Sequence, residues 1–158
     1  MDPAIRLQVE DLNGRYALAI DDNDLEAWPE FFTEHGRYRI TTAENVEQGL
    51  PLGLVHATSR AMLRDRVRSL RDANVYEAQR YRHVLSPPLI VASGDGIVQA
   101  KTGFMVARIM HTGETVVFAT GCYQDRIVLD ADDGAPKFLE KIVVLDSRLI
   151  DTLLAIPL

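Results

Sequence analysis

The sequence predicts an α+β domain in which three helices cover the concave face of a strongly bent antiparallel sheet of about six strands. Apolar residues recur every three or four positions from Ile5 to Ile20 and again after Ser59, a spacing that predicts amphipathic helices. From Gln79 onward, apolar-rich segments alternate with short turn motifs, which indicates strands. Helices followed by a run of strands are typical of the α+β class.

The N-terminal segment carries signals for two helices and a strand. Asp2 can cap the first helix, and Pro3 can occupy its first turn, where a missing N–H costs nothing. Asn23 or Asp24 can cap a second, short helix, whose large apolar residues are Trp28, Phe31 and Phe32. Residues 36–42 then show the alternation of a strand.

The following segment, residues 43–57, contains glycines and a proline but no clear period. We therefore predict a loop or an irregular edge strand there. Thr58 or Ser59 can cap the third helix. The residues of that helix expected to face the core are Leu63, Val67 and Leu70.

Four long strands are predicted in the C-terminal half, at residues 80–92, 97–110, 115–129 and 137–147. The segments between them, residues 93–96, 111–114 and 130–136, each contain glycine, and the first and last also contain aspartate, in turn-forming combinations. Short connections join antiparallel neighbours, so we predict an antiparallel meander.

Composition excludes several classes of protein. The 158 residues suffice for one domain, which we expect to span residues 1–158, and the net charge of −6 argues against a general nucleic-acid or membrane-surface binder. Cys122 is the single cysteine, so an internal disulfide is impossible and a reducing compartment fits best. We find neither a signal peptide nor an apolar run of the roughly 20 residues that span a bilayer. We expect a cytoplasmic protein.

The last strands carry apolar residues on both faces, which points beyond a monomer. In residues 115–129, Val116, Phe118 and Cys122 have one parity and Val117, Tyr123 and Ile127 the other. Helices on one face of a sheet cannot cover both faces, so we expect self-association or a partner, unless the core closes on itself more fully. The apolar tail at residues 153–158 supports this expectation, and Ile156 and Leu158 are interface candidates.

Potential metal ligands are few and scattered. A Rieske cluster needs two cysteines and two histidines, and the chain has a single cysteine. A facial triad needs two histidines and a carboxylate on one iron. No two of the four histidines lie four residues apart; they are His35, His56, His83 and His111. We therefore expect no metal site and no cofactor on this chain.

The best candidate for catalysis is His83. Strand alternation places Tyr81 and His83 on one face and the neighbouring arginines on the other. If that face lined a pocket, His83 could act as general base or acid, with Tyr81 or Tyr16 as proton donor. Asp24 or Asp146 could orient it. The alternative is a buried, hydrogen-bonded histidine that ties the sheet to a helix.

The third helix carries the main basic feature of this acidic chain. The arginines that share one side of this helix are Arg60, Arg64, Arg68 and Arg71. They could form a solvated face with Asp65 and Asp72 as neighbours. They could also dock onto an acidic partner surface, because guanidinium groups favour carboxylates at interfaces.

Taken in order, these segments resemble one family along almost the whole chain, the small (β) subunits of bacterial aromatic-ring-hydroxylating dioxygenases. The matching stretches are residues 24–32, the helix at 62–76, Tyr81-Arg82-His83, and residues 109–114, 144–147 and 155–158. The terephthalate branch of the family is the most similar, followed by related carboxylate dioxygenases.

The resemblance implies a nuclear-transport-factor-2-like cone that trimerises and packs beneath a large (α) subunit, usually as a hexamer of three large and three small subunits. In that family the large subunit holds the Rieske iron–sulfur cluster, the mononuclear iron and the substrate pocket. A reductase delivers electrons from NADH or NADPH, and dioxygen adds across the ring to give a cis-dihydrodiol. The small subunit has no metal ligands and holds the large subunits in register.

Three hypotheses therefore stand. The first is a non-catalytic assembly subunit of a ring-hydroxylating oxidoreductase. The second is an independent isomerase or dehydratase with the same cone, using His83 with Tyr81 and Asp24. The third is a small-molecule binding module. An open, polar cone would favour the second or third, and a filled cone the first.

Overall fold

A computed structural model of the chain describes residues 2–51, 53–73, 79–148 and 156–158. Its helices are α1 (Pro3–Asp21), a short 3₁₀ helix (Trp28–Phe31), α2 (Ala43–Glu47) and α3 (Arg60–Ala73). Its strands are β1 (Phe32–Thr42), β2 (Val55–Ala57), β3 (Gln79–Leu85), β4 (Leu89–Gly94), β5 (Ile97–Met110), β6 (Thr115–Val128) and β7 (Lys137–Leu145).

Helix α1 begins as the sequence predicts. The Asp2 carboxylate accepts a hydrogen bond from the N–H of Ala4 at 2.9 Å, and Pro3 is the first helical residue. The residues of its inward face are buried, namely Val9, Leu12, Tyr16 and Ile20. The helix packs its apolar stripe against the concave face of the sheet.

The predicted cap of the second helix is wrong. Neither Asn23 nor Asp24 caps the 3₁₀ helix, which begins after Ala27 without a side-chain cap. Asn23 instead has a φ of 60°, in the left-handed region, and its N–H bonds to the Ile20 carbonyl. This residue therefore ends α1, a role that asparagine tolerates because of its preference for left-handed backbone.

The prediction for residues 43–57 is only partly right. The segment begins with the helix α2, because the Thr42 hydroxyl accepts the Asn45 N–H at 3.2 Å. It ends in the edge strand β2, antiparallel to β1. A five-residue helix is too short to show a period. The next cap is confirmed, because the Ser59 hydroxyl accepts the Met62 N–H at 3.2 Å at the start of α3.

The strands form one bent, open sheet of seven, in the order β2-β1-β7-β6-β5-β3, with β4 also paired to β5. The α+β class and the cone are confirmed. The sheet is mixed rather than antiparallel throughout, because β1 and β7 run parallel. Alternation of apolar residues shows which face a residue takes but not which strand lies beside it.

The predicted strand at residues 80–92 is two strands. Ser86, Pro87 and Pro88 separate β3 from β4, because proline has no N–H to donate to a ladder. Both pieces still pair with β5, β3 with its second half and β4 with its first. The other long strands begin where the sequence predicts, and β5 also ends there, at Met110.

Candidate functional site

His83 is paired with an aspartate, but not with the one that the sequence predicts. Its backbone N–H donates to Asp21 Oδ2 at 2.9 Å, and its Nδ1 lies 2.6 Å from Asp21 Oδ1. Asp21 is the last residue of α1, and its side chain is 1% exposed. Asp24 is exposed to solvent, and the acidic group bonded to His83 is that of Asp21. Asp146 binds the Thr120 hydroxyl instead.

Strand alternation places the neighbours of His83 correctly. Tyr81 and His83 share the buried face of β3, while Arg80 and Arg82 are exposed. The Tyr81 ring lies 6.3 Å from the His83 ring and stacks on Phe118 at 5.4 Å. The other predicted proton donor, Tyr16, is not available to His83, because its hydroxyl donates to the Leu158 carbonyl.

The surroundings of His83 favour a structural role. A cavity of about 830 Å³ is lined by Asp21, Tyr81 and Arg82 among others, but His83 is not part of its lining. The His83 side chain is 0% exposed, and its Nε2 has no hydrogen-bond partner among the residues that the structure describes. A general base must reach the proton that it removes. In this conformation the pair ties the end of α1 to the edge strand β3.

The interior of the cone contains a buried ion pair that sequence reasoning missed. Lys141 on β7 lies directly opposite Asp125 on β6, and its Nζ is 3.2 Å from each carboxylate oxygen. Both side chains are completely buried. The ammonium also lies over three aromatic rings, with Nζ 3.7 Å, 4.2 Å and 4.6 Å from the ring centroids of Tyr123, Phe138 and Tyr16.

Burial and pairing act on the two charges in opposite directions. Burial raises the pKa of the Asp125 carboxyl, and the Lys141 ammonium opposes this shift. Burial lowers the pKa of Lys141, and Asp125 opposes it. The aromatic faces further favour the ammonium form, since a ring quadrupole attracts a cation. Each of these two charged groups in the interior of the cone therefore already has a partner within the chain.

A second buried network involves the end of the described chain. The Leu158 carbonyl accepts hydrogen bonds from the Tyr16 hydroxyl at 2.8 Å and the Tyr38 hydroxyl at 3.0 Å. Trp28 Nε1 donates to the Tyr16 hydroxyl at 3.1 Å. Burial raises the pKa of Tyr38 to about 12, so its hydroxyl remains a donor at neutral pH.

This network accounts for the buried part of the apolar tail. Ile156 and Leu158 lie in the core of the same chain, so in this structure neither side chain is exposed for contact with a partner. Residues 153–155 lie outside the described part of the chain. Residues of helix α1, the 3₁₀ helix and this segment thus pack together in the core, next to the cavity that Ile156 also lines.

Each predicted arginine of α3 has a contact within the chain. Arg60 donates to the Phe32 carbonyl, Arg64 to Glu30, and Arg68 to Asp65. Arg71 forms a two-pronged pair with Glu26, at 2.8 Å and 2.9 Å, and also reaches Asn23. Three of the four therefore connect α3 to the segment around the 3₁₀ helix, while Arg68 and its carboxylate partner remain mostly exposed.

The outer face of the sheet retains an exposed apolar patch. Val84 and Met105 are direct cross-strand partners, and Val117 pairs with Ala107 two positions further along β5. Val84, Met105 and Val117, which we call the outer patch, are 54%, 40% and 63% exposed. On β7, by contrast, the core closes more fully than predicted, because Val143, Val144 and Leu145 are all buried within the chain.

Comparison with known proteins identifies the family. Residues 4–135 match the model of the SnoaL-like domain. The chain is 46% identical over 152 residues to the beta 1 subunit of the terminal oxygenase component of terephthalate 1,2-dioxygenase from Comamonas sp., covering 96% of this chain and 97% of that protein. The chain belongs to the family of ring-hydroxylating dioxygenase β subunits.

Other members of the β-subunit family agree with this assignment. The small subunit of anthranilate 1,2-dioxygenase from Burkholderia cepacia is 42% identical, over 93% of this chain and 90% of that protein. A crystal structure from Novosphingobium aromaticivorans, of a protein assigned as the β subunit of an aromatic-ring-hydroxylating dioxygenase, is 31% identical. It superposes with a TM-score of 0.89, over 99% of this chain and 98% of that one.

The described residues of this β subunit offer neither a metal-binding cluster nor a membrane-spanning helix. Within residues 2–51, 53–73, 79–148 and 156–158, no three His, Cys, Asp or Glu side chains are grouped so that they could hold a metal ion. None of the described helices is both long and apolar enough to cross a membrane. Cys122 is partly buried on β6, and burial raises the pKa of its thiol, which disfavours the reactive thiolate.

Proposed function

We propose that this chain is the non-catalytic small subunit of an aromatic-ring-hydroxylating dioxygenase and that it holds the large subunits in register. The 46% identity to a terephthalate dioxygenase β subunit, over nearly the whole of both chains, carries this proposal. The packed interior supports it, because the Leu158 carbonyl and the Lys141 ammonium are already bonded to groups of the same chain. A subunit of this kind needs a rigid fold and surfaces that bind other subunits rather than a substrate pocket.

The complex that we propose is a cytoplasmic hexamer of three large and three small subunits. Its large subunit would hold the Rieske cluster, the mononuclear iron and the substrate, and a reductase would supply electrons from NADH or NADPH. The proposed substrate is terephthalate or a related aromatic carboxylate, converted to a cis-dihydrodiol. The names of the relatives support this substrate class, since terephthalate and anthranilate are both aromatic carboxylates.

Two surfaces of the chain, which we treat as one domain, are our candidates for the contacts. The outer patch is the candidate for self-association as a trimer, because exposed apolar sheet surface is stabilised by burial. The arginine side of α3 is the candidate for the large subunit. Arg68 is the best probe of this side, because its visible partner, Asp65, is three residues away on the same helix and mostly exposed.

Reconstitution tests the assembly role. The purified chain, mixed with a metal-loaded large subunit and a reductase, is expected to restore terephthalate dihydroxylation and to form the heteromeric complex, whereas the chain alone has no turnover. Arg68→Glu is expected to weaken assembly, with Asp72→Ala as a control on the same helix. A large subunit that assembles and turns over fully without this chain would contradict the proposal.

A second candidate is supported by the Asp21–His83 pair. A buried carboxylate within 2.6 Å of an imidazole nitrogen is the arrangement that orients a general base. A stand-alone isomerase or dehydratase would need the cone to open so that substrate reaches His83. Turnover of such a substrate by the isolated chain, lost in His83→Ala and in Asp21→Ala but kept in Asp24→Ala, would establish this candidate over the first.

A further inference from the structure

Leu158 is held in the cone as a bound ligand is held in a pocket. It lies in neither a helix nor a strand, yet it is 0% exposed and belongs to the main core cluster. Its main-chain carbonyl and N–H form hydrogen bonds with side chains. The Tyr38 hydroxyl donates to its carbonyl and accepts its N–H at 3.1 Å, and Tyr16 gives a second bond to the carbonyl.

The groups around Leu158 define a chemical preference. Two hydroxyl donors converge on a single oxygen, and the Trp28 indole N–H bonds to the Tyr16 hydroxyl and orients it. Trp28, Phe32 and Tyr38 form edge-to-face contacts that make the surroundings aromatic. Apolar walls with a few convergent polar groups are typical of small-molecule sites.

We propose that the concave interior contains a binding pocket for a short, branched carboxylic acid and that Leu158 is its built-in occupant. The leucine side chain fills the apolar part, and its carbonyl oxygen takes the position of a carboxylate oxygen. The inference deepens the proposed function, because a pocket closed by the chain itself leaves a small subunit without an active site.

Removing Leu158 from the chain tests the proposal, because deletion takes away its side chain, its N–H and its carbonyl together. The variant that lacks Leu158 is expected to have a thermal midpoint lower by at least about 5 °C, since truncation of a core leucine alone costs about this much in a chain of this size. Isocaproate, which has the carbon skeleton of leucine without the amino group, is expected to bind the variant and raise its midpoint again. The wild-type chain is expected not to respond, because its pocket is occupied.

Three controls separate a specific pocket from general effects. Leu7→Ala removes an exposed leucine from α1 and is expected to leave both the midpoint and the response to isocaproate as in the wild type. Isoamylamine has a similar branched chain without an acceptor oxygen and is expected not to stabilise the variant that lacks Leu158. Adding Tyr38→Phe to this deletion removes one donor and is expected to weaken isocaproate binding about tenfold.

Folding of the variant provides a second readout. If the variant that lacks Leu158 does not fold alone, isocaproate is expected to restore its circular dichroism spectrum, and failure to restore it would overturn the pocket. Equal stabilisation of the wild type and the variant, or no stabilisation of the variant, would overturn it as well. These measurements use the isolated chain, so failure here leaves reconstitution with the large subunit unaffected, and failure of reconstitution leaves the pocket intact.

Discussion

Lys141 shows how a single charged residue can be accommodated inside the core. An isolated ammonium in such a site would cost several kcal/mol in lost hydration. Here Asp125 supplies the opposite charge at 3.2 Å, and three rings present their faces. The pair also joins β6 to β7 beside a bulge, where Ile127 pairs with Phe138 and the register shifts. A polar pair at this position disfavours a slipped register, since a slip of one strand by one residue would place Lys141 and Asp125 on opposite faces of the sheet.

Lys141→Met is expected to destabilise the fold by about 3–5 kcal/mol, because it leaves the Asp125 carboxylate buried without its cation. The double variant Lys141→Met with Asp125→Leu is expected to recover most of this loss, since an apolar pair needs no partner. Urea unfolding measures both changes. Lys101→Met, on the exposed face of β5, is the control and should alter stability little. Equal losses in the single and double variants would contradict this account.

The Asp21 carboxylate bonds to both the backbone N–H and the imidazole ring of His83. Asp21→Ala is expected to cost about 1–3 kcal/mol, because the buried His83 N–H would lose its acceptor. Asp24→Ala removes an exposed carboxylate three residues away and should be nearly neutral. Thermal unfolding of the two variants compares them. If Asp24→Ala were the more damaging, the assignment of Asp21 as the partner of His83 would be wrong.

At the scale of elements, α3 is joined to the rest of the fold by its arginines. Arg60 donates two hydrogen bonds to the carbonyl of Phe32, and Arg71 binds the Glu26 carboxylate in two-pronged geometry. Arg71 thus reaches the segment between α1 and β1, and Arg60 reaches the first residue of β1. A helix with one buried side thus also fixes the position of an otherwise irregular segment.

The Arg71–Glu26 contact is expected to make the stability of the fold depend on pH. The hydrogen bond from Arg71 holds the pKa of the Glu26 carboxyl at about 2, below its ordinary 4.5. The pair therefore contributes stability above about pH 4.5 and loses it as the pH falls toward 2. Because Glu26 is mostly exposed, solvent screening limits the contribution to under about 1 kcal/mol.

Glu26→Gln is expected to lower stability at neutral pH by this small amount, and the difference from the wild type should shrink on acidification toward pH 3. Urea unfolding at several pH values follows the difference. Glu10→Gln, on the exposed side of α1, should give a difference near zero at each pH. A Glu26→Gln effect that stayed constant from neutral to acidic pH would show that the charge is not responsible.

At the scale of the whole molecule, the two faces of the sheet differ in how their apolar residues are covered. The concave face is filled by the chain itself, whereas the outer patch is open. Apolar surface that is paired across neighbouring strands forms a continuous contact area. Such a face suits association with another subunit better than binding of a small molecule.

Val117→Lys is expected to weaken self-association, because it places a charge in the centre of the proposed contact at little cost to the fold. Light scattering should then report the monomer mass at concentrations where we expect the wild type to be a trimer. Leu7→Lys, an equally exposed position on α1, should leave the mass unchanged. An unchanged mass for Val117→Lys would exclude the outer patch as the trimer contact.

Local signals were sufficient to predict the helices and strands whose limits depend on nearby residues. Asp2 and Ser59 do cap α1 and α3, and β5 runs from Ile97 to Met110 as predicted. These features were predictable because caps, turns and periodicity act over a few residues. The five-residue helix α2 was missed for the same reason, since it contains less than two turns of pattern.

Sequence alone determined that this chain is a helix-then-strand domain of the small-subunit family, with apolar residues on two faces of its sheet. Only the tertiary structure decided which strand pairs in parallel, that Asp21 rather than Asp24 meets His83, that Lys141 faces Asp125, and that Leu158 fills the cone. These outcomes depend on contacts between residues distant in the chain. Local preference sets the conformation of each segment, while the final neighbours are selected by how all segments fit together.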